Sequence, residues 1–166
     1  LITNYLPKRM KKILLFACAA ATMVACNSER EYLTYRGVAM NTPLKAFTDS
    51  MTARGLVVDT ANHDKETVIM SMPEGPGTLT ISAVGDSIYQ IVENYDATYN
   101  DSTRNLYRSR LDKAIEEYGH QPKMPINLED HSEARFFSDK GTHILLLENT
   151  YTPHLSISYE TRIEKE

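Results

Sequence analysis

Residues 78–93 read as two strands folded back on each other, and this pattern restricts the fold more than any other stretch of the 166-residue chain. Leu79, Ile81 and Ala83 alternate with Thr78, Thr80 and Ser82, the period of two expected where one sheet face is buried and the other wetted. Gly85-Asp86 supplies a tight hairpin connection into residues 87–93, where Ile88, Tyr89, Ile91 and Val92 carry the apolar character onward. Upstream, Val68, Met70 and Met72 share one face of residues 67–72, with Thr67 and Ser71 opposite. Pro73-Glu74-Gly75-Pro76-Gly77 is a turn or loop, because a central strand cannot contain that run. An antiparallel sheet with one oily face and one hydroxyl-rich face is the expectation.

A helix is expected ahead of these strands, over residues 43–54. Thr42 can cap the open backbone N–H groups, and Pro43 suits the first helical position because its missing N–H would have been unpaired there. Leu44, Phe47 and Met51 recur at three and four residues and so fall on one face. Arg54 suits the negative end of the helix dipole, and Gly55 can adopt the left-handed conformation that stops the helix. Leu56-Val57-Val58 follows as a short extended segment, and residues 61–66 form a polar loop.

The same order of elements returns in the second half. After the polar stretch 94–103, a helix over 103–118 carries the stripe Tyr107, Leu111, Ala114, Ile115 and Tyr118, with Arg108, Asp112, Lys113, Glu116 and Glu117 facing water. Gly119 ends it, and residues 120–131, with Pro122 and Pro125, make a long connection. Strands are expected at 133–138, at 142–149 around the run Ile144 to Leu147, and at 154–163. In the last of these Leu155, Ile157, Tyr159, Thr161 and Ile163 alternate with His154, Ser156, Ser158, Glu160 and Arg162. The fold class implied is α+β: a duplicated αβββ unit with two helices packed on one face of an antiparallel sheet. The duplication is inferred from element order, since residue similarity between the halves is slight.

Residues 10–26, MKKILLFACAAATMVAC, have the charged, apolar and small-residue order of a secretory signal, and the apolar part is shorter than the roughly 20 residues a spanning helix needs. Met23-Val24-Ala25-Cys26 resembles the lipobox of bacterial lipoproteins, with methionine in the place usually held by leucine. That resemblance implies acylation of Cys26, which becomes the mature N-terminus. The alternative is a cleaved signal without lipid, leaving Cys26 as a lone thiol in an oxidising compartment. Residues 1–9 are expected to be an extension from a start site placed too early, 10–25 the signal, 26–34 a tether, and 35–166 a single α+β domain. Glu29 and Glu31 near Cys26 faintly resemble acidic export tags of surface lipoproteins in Bacteroidetes; a plain solvated spacer is the other reading.

Four of the 18 basic residues and none of the 22 acidic ones lie in residues 1–25, so the remainder carries a charge of −8. This balance argues against nucleic acid and against electrostatic adhesion to anionic lipid. Membrane attachment then rests on acyl chains at Cys26, each buried methylene contributing about 0.8 kcal/mol. The expected location is the bacterial cell envelope, with the outer membrane favoured and the face undetermined. Cys18 departs with the signal and Cys26 is modified, so no structural disulfide remains.

The run Tyr35-Arg36-Gly37-Val38, with Leu44, Phe47, Met51 and Gly55-Leu56, resembles the opening of small Bacteroidetes lipoproteins and secreted domains; Leu111, Ile115, Tyr118-Gly119 and Pro122 match in the second helix. The resemblance implies a two-unit αβββ sheet similar to β-lactamase-inhibitor-like proteins. It carries packing and capping residues only, and implies no activity and no functional residue.

Few residues suggest chemistry. His63, His120, His131, His143 and His154 show neither the i, i+4 helical spacing nor the short Cys/His spacing of a metal site, and are read as scattered over the surface. Asp96, Thr98 and Asn100 echo the first calcium-loop offsets, but Asp101 and Tyr107 stand where glycine and glutamate are required, so no EF-hand is expected. No nucleophile elbow, phosphate-cradling loop or dinucleotide fingerprint occurs in the sequence. Tyr95, Tyr99 and Tyr151 are placed in loops, as half-buried packing or as a recognition patch; Met40, Met51, Met70, Met72 and Met124 are read mainly as core filler. No catalytic, cofactor-binding or metal-binding residue is assigned; Cys26 is the lipidation site.

The leading functional expectation is a non-enzymatic, lipid-anchored domain that binds an envelope protein or other macromolecule through its hydroxyl-rich face, including Thr78, Thr80, Ser82, Ser156, Ser158, Glu160 and Arg162. The alternative is an envelope hydrolase whose site converges from distant strands. A purely structural role in envelope assembly is a variant of the first.

Overall fold

The computed structural model describes residues 32–73, 77–96, 100–127, 130–148 and 153–161. All of them belong to one compact unit, Glu31–Glu166. The expected signal, Cys26 and most of the tether lie outside the described residues, as do Thr98, Tyr99, Tyr151, Arg162 and Ile163.

The chain begins with a small two-stranded ribbon, β1 (Thr34–Tyr35) and β2 (Val38–Ala39), and then enters helix α1 (Leu44–Ala53). Four strands follow: β3 (Val57–Val58), β4 (Thr67–Ser71), β5 (Gly77–Val84) and β6 (Ser87–Asp96). Helix α2 (Asn100–Tyr118) leads to four more: β7 (Lys123–Asn127), β8 (His131–Phe137), β9 (Gly141–Glu148) and β10 (His154–Thr161). Strands β3 to β10 form a single antiparallel sheet in the order β3-β4-β5-β6-β10-β9-β8-β7. The class is α+β, rich in strands, with two helices and one large antiparallel sheet.

Helix α1 starts differently from the expectation. Pro43, with an extended ψ of 141°, occupies the N-cap itself, and no side chain caps the helix. The Leu44 N–H instead donates to the Asp86 carbonyl at 3.2 Å, so the turn of the β5–β6 hairpin satisfies the helix end. The other end behaves as expected: Gly55 has φ +90°, and its N–H reaches the Thr52 carbonyl at 2.9 Å. Arg54 stands at the C-cap, and its guanidinium donates to the Ser50 carbonyl at 2.8 Å. Leu44, Phe47 and Met51 are all buried.

Residues 123–127, expected within a connection, form edge strand β7. Pro125 is tolerated because β7 pairs only with β8 and its register shifts between Lys123 and Ile126. Helix α2 begins at Asn100, ahead of the expected 103. Within the sheet, Gly141 opens β9 where a Cβ would lie 2.2 Å from the Glu160 carbonyl oxygen on β10. Only glycine fits there.

Two apolar clusters lie on one face of this sheet. Leu44, Phe47 and Met51 of α1 pack with inward residues of β4 to β6, such as Met70, Leu79, Ile81 and Ile91. Ala114 of α2, flanked by Leu111, Ile115 and Tyr118, packs with Phe136, Leu145, Leu147, Leu155 and Ile157. Tyr95 and Tyr159 touch both clusters, and Ile91 is the direct register partner of Tyr159, so the clusters share one side. Among the described residues the buried aromatic side chains are Tyr35 and Phe47 in the first cluster and Phe136 in the second.

Candidate functional site

Register places a second set of side chains on the sheet face away from the helices. On β4 and β5 these are Thr67, Ile69 and Ser71 opposite Ser82, Thr80 and Thr78. Across the middle, Val92 of β6 pairs with Ser158 of β10, Ser158 with Ile144 of β9, and Ile144 with Arg135 of β8. The next row runs Asn94, Ser156, Leu146 and Glu133. This is the hydroxyl-rich face expected from the alternation, but an aliphatic strip of Val92, Ile144 and Leu146 crosses it. Neither helix packs on it.

A depression of about 240 Å³ sits in the middle of this face. Val92, Ile144 and Leu146 supply apolar lining, and Gln90, Ser156 and Ser158 supply neutral polar groups. Its charged walls are Glu133, Arg135 and Glu160. Glu160 Oε1 accepts hydrogen bonds from Gln90 Nε2 at 3.0 Å and from Ser158 Oγ at 3.2 Å. Glu133, only 8% exposed, accepts from Arg135 Nε and lies 3.5 Å from His131 Nε2. The Arg135 hydrogen bond holds the Glu133 carboxyl below its ordinary range and raises the guanidinium in return. Arg135 is therefore already committed within the chain.

A second polar cluster lies on the helix-covered side. Glu93, in the inward row of β6 between Ile91 and Tyr95, is 1% exposed. Its Oε2 accepts from Tyr95 Oη at 2.6 Å and from Arg110 Nη2 of α2 at 3.0 Å; Arg110 also donates to Tyr95 Oη at 3.1 Å. Burial and then Glu93 push the Tyr95 phenol up to about 12. Burial works against the Arg110 charge, but Glu93, Tyr95 and Tyr159 outweigh it and raise the guanidinium. The Tyr35 phenol is raised by burial first and by Glu93 second, although among the described residues its hydroxyl makes no well-formed hydrogen bond.

His143 of β9 completes this inner cluster. It is 4% exposed, stacked on Tyr159 at 4.3 Å and 16°, with Tyr118 and Phe136 on its other sides. Among the described residues neither ring nitrogen has a hydrogen-bond partner. Burial, aided by the Arg110 charge, lowers its pKa to about 4, so the imidazole is neutral at pH 7. The surface placement expected for the five histidines is thus wrong for His143: it stands in the inward row with Leu145 and Leu147.

The other expected residues separate. His63 is in an exposed loop against the Thr60 carbonyl, and His120 bonds the Gln121 carbonyl beside Tyr118. His154 Nδ1 and Asp96 Oδ1 are 2.8 Å apart at the end of the sheet. Among the described residues no three metal-ligating side chains converge. Tyr95 belongs to a strand and the inner network rather than to a loop. Met40, Met51, Met70 and Met72 are buried, as core filler should be. Glu93 and Arg110 escaped the sequence reading, although an acidic residue in the row of Ile91 was a visible signal.

No helix among the described residues is long and apolar enough to cross a membrane. No protein-family model matches the chain, and neither a curated protein nor a solved structure matches it.

Proposed function

We propose that this chain is a lipid-anchored lipoprotein of a bacterial envelope whose domain binds a partner macromolecule on the open face of its sheet and performs no chemistry of its own. The observation that carries the reading is the depression among Val92, Ile144, Leu146 and Glu160, on the face the helices leave uncovered. Val92, Ile144 and Leu146 are apolar surface rimmed by the polar and charged groups of Gln90, Glu133, Arg135 and Glu160, a composition that suits an interaction site. Anchoring through acylated Cys26, after removal of residues 10–25, is supported by the charged-apolar-small order and the Met23-Val24-Ala25-Cys26 run.

Two related inferences belong to the same reading. The strand order, two helix-led meanders meeting at β6 and β10, supports a duplicated αβββ unit extended by edge strands β3 and β7. The alternative, a hydrolase, would have to be built on the His154–Asp96 pair, at 2.8 Å, or the His131–Glu133 pair, at 3.5 Å.

The test is capture of partners from native membranes by the full acylated protein, wild type against Leu146→Arg. Arg at this half-buried, surface-facing position fills the depression and spares the core. A partner retained by the wild type and lost by the variant supports the reading; identical captured sets overturn it.

A further inference from the structure

The depression on the open face has an aliphatic floor and an acidic end, and it is small. At about 240 Å³ it falls below the roughly 300–1,000 Å³ of sites for drug-sized ligands and cofactors. One side chain fits. Its lining contains no aromatic ring, which removes the platform that sugar rings or a guanidinium plane would stack on. It contains two carboxylates against one cation, which disfavours phosphates and carboxylates.

The two carboxylates are not equivalent. Glu133 is satisfied by Arg135 and His131. Among the described residues Glu160 accepts hydrogen bonds only from neutral donors, Gln90 and Ser158, both on the same oxygen, and the Arg135 guanidinium, bound to Glu133, acts on it through space without forming an ion pair with it. A carboxylate offers about four acceptor positions, so Oε2 remains able to take a charged donor. Ser158 lies two residues from Glu160 on β10 and between Val92 and Ile144 across the sheet, so acid and aliphatic floor adjoin.

Resting on the open-face reading above, we propose that the depression receives a lysine side chain presented by a partner protein. Its methylene stem lies on Val92, Ile144 and Leu146, and its ammonium donates to Glu160. Lysine combines an apolar stem with a compact charged head, which is the division of surface found here. The net charge of −8 on residues 26–166 adds a long-range attraction for a basic partner.

The probes are three short blocked peptides, Gly-Lys-Gly, its norleucine analogue and Gly-Glu-Gly, titrated into the full-length isotope-labelled protein and followed by NMR. The lysine peptide shifts the amides of residues 92, 144, 146 and 160 and binds about tenfold more tightly than the norleucine peptide; Glu160→Gln removes that margin. Glu160 is half-buried, so this variant folds, and Arg135→Gln, which leaves Glu160 intact, keeps the lysine preference. Equal binding of lysine and norleucine peptides, or no binding, overturns the lysine assignment. So does free butylamine outcompeting the peptide, which would point to a small amine as the ligand. Loss of partner capture in Leu146→Arg is read independently of amine preference, so the open-face reading survives failure of this inference and can itself fail separately.

Discussion

Glu93 on β6 and Arg110 on α2 are joined at 3.0 Å, and the carboxylate is 1% exposed, so a buried charge in the middle of the sheet is matched by a guanidinium that reaches down from the helix. Tyr95 bridges both. The pair lies where the two apolar clusters meet, and it ties α2 to the sheet on the side opposite the depression. Arg110→Met leaves Glu93 buried with one phenol as partner, and urea denaturation should show a loss of about 2–4 kcal/mol. Adding Glu93→Gln removes the uncompensated charge, so the double variant should recover about 1–2 kcal/mol of that loss; additive effects would show the pair to be uncoupled.

His143 gives a pH dependence separate from that of the carboxylates. Its folded pKa of about 4 lies below the ordinary 6.5, so between these values the unfolded chain binds the proton and the folded protein does not. Stability should therefore rise with pH through that window and fall as pH drops from 6.5 to 4, by about 3 kcal/mol. Arg110, whose charge acts on this imidazole, and the phenols of Tyr118 and Tyr159 against it keep their charge state through the window; the other imidazole in this aromatic cluster is His120, on the far side of Tyr118 and Phe136. His143→Phe should preserve the stacking and flatten the profile between pH 4 and 6.5. An unchanged slope in chemical denaturation would contradict the burial account.

Gly141→Ala tests the register between β9 and β10. The added Cβ would meet the Glu160 carbonyl, a backbone atom that cannot rotate away. A cost of about 2–4 kcal/mol is expected, measured by thermal or urea unfolding. Gly85→Ala, at φ +60° with open space around it, should cost about 1 kcal/mol.

The anchor makes its own prediction. Fatty-acid labelling should mark the wild-type protein and not Cys26→Ser, and globomycin should leave the uncleaved precursor with lower gel mobility. Unchanged mobility and no label would remove the lipid anchor from the proposal.

The strands and helices were legible because their signals are local. The alternation of Leu79, Ile81 and Ala83, the face of Leu44, Phe47 and Met51, and the stop at Gly55 each lie within a dozen residues. Strand β7 was hidden by Pro125, which reads as a breaker until its edge position is known. Strand β6 runs on to Asp96, so Tyr95, taken for a loop residue, points inward with Glu93. The inner cluster was partly visible, since His143 and Glu93 occupy apolar rows. The depression was not: it depends on Val92, Ser158, Ile144 and Arg135 falling into one cross-strand row, and registers between distant strands leave no linear motif.

Site-specific photo-crosslinking in native membranes tests the central claim most directly. A benzophenone side chain replaces Thr80, on the open face beside Val92, or Asp112, on the exposed side of α2. Open-face recognition predicts a discrete adduct from position 80, weakened by Leu146→Arg, and none from position 112. Adducts from the helix position alone would contradict it.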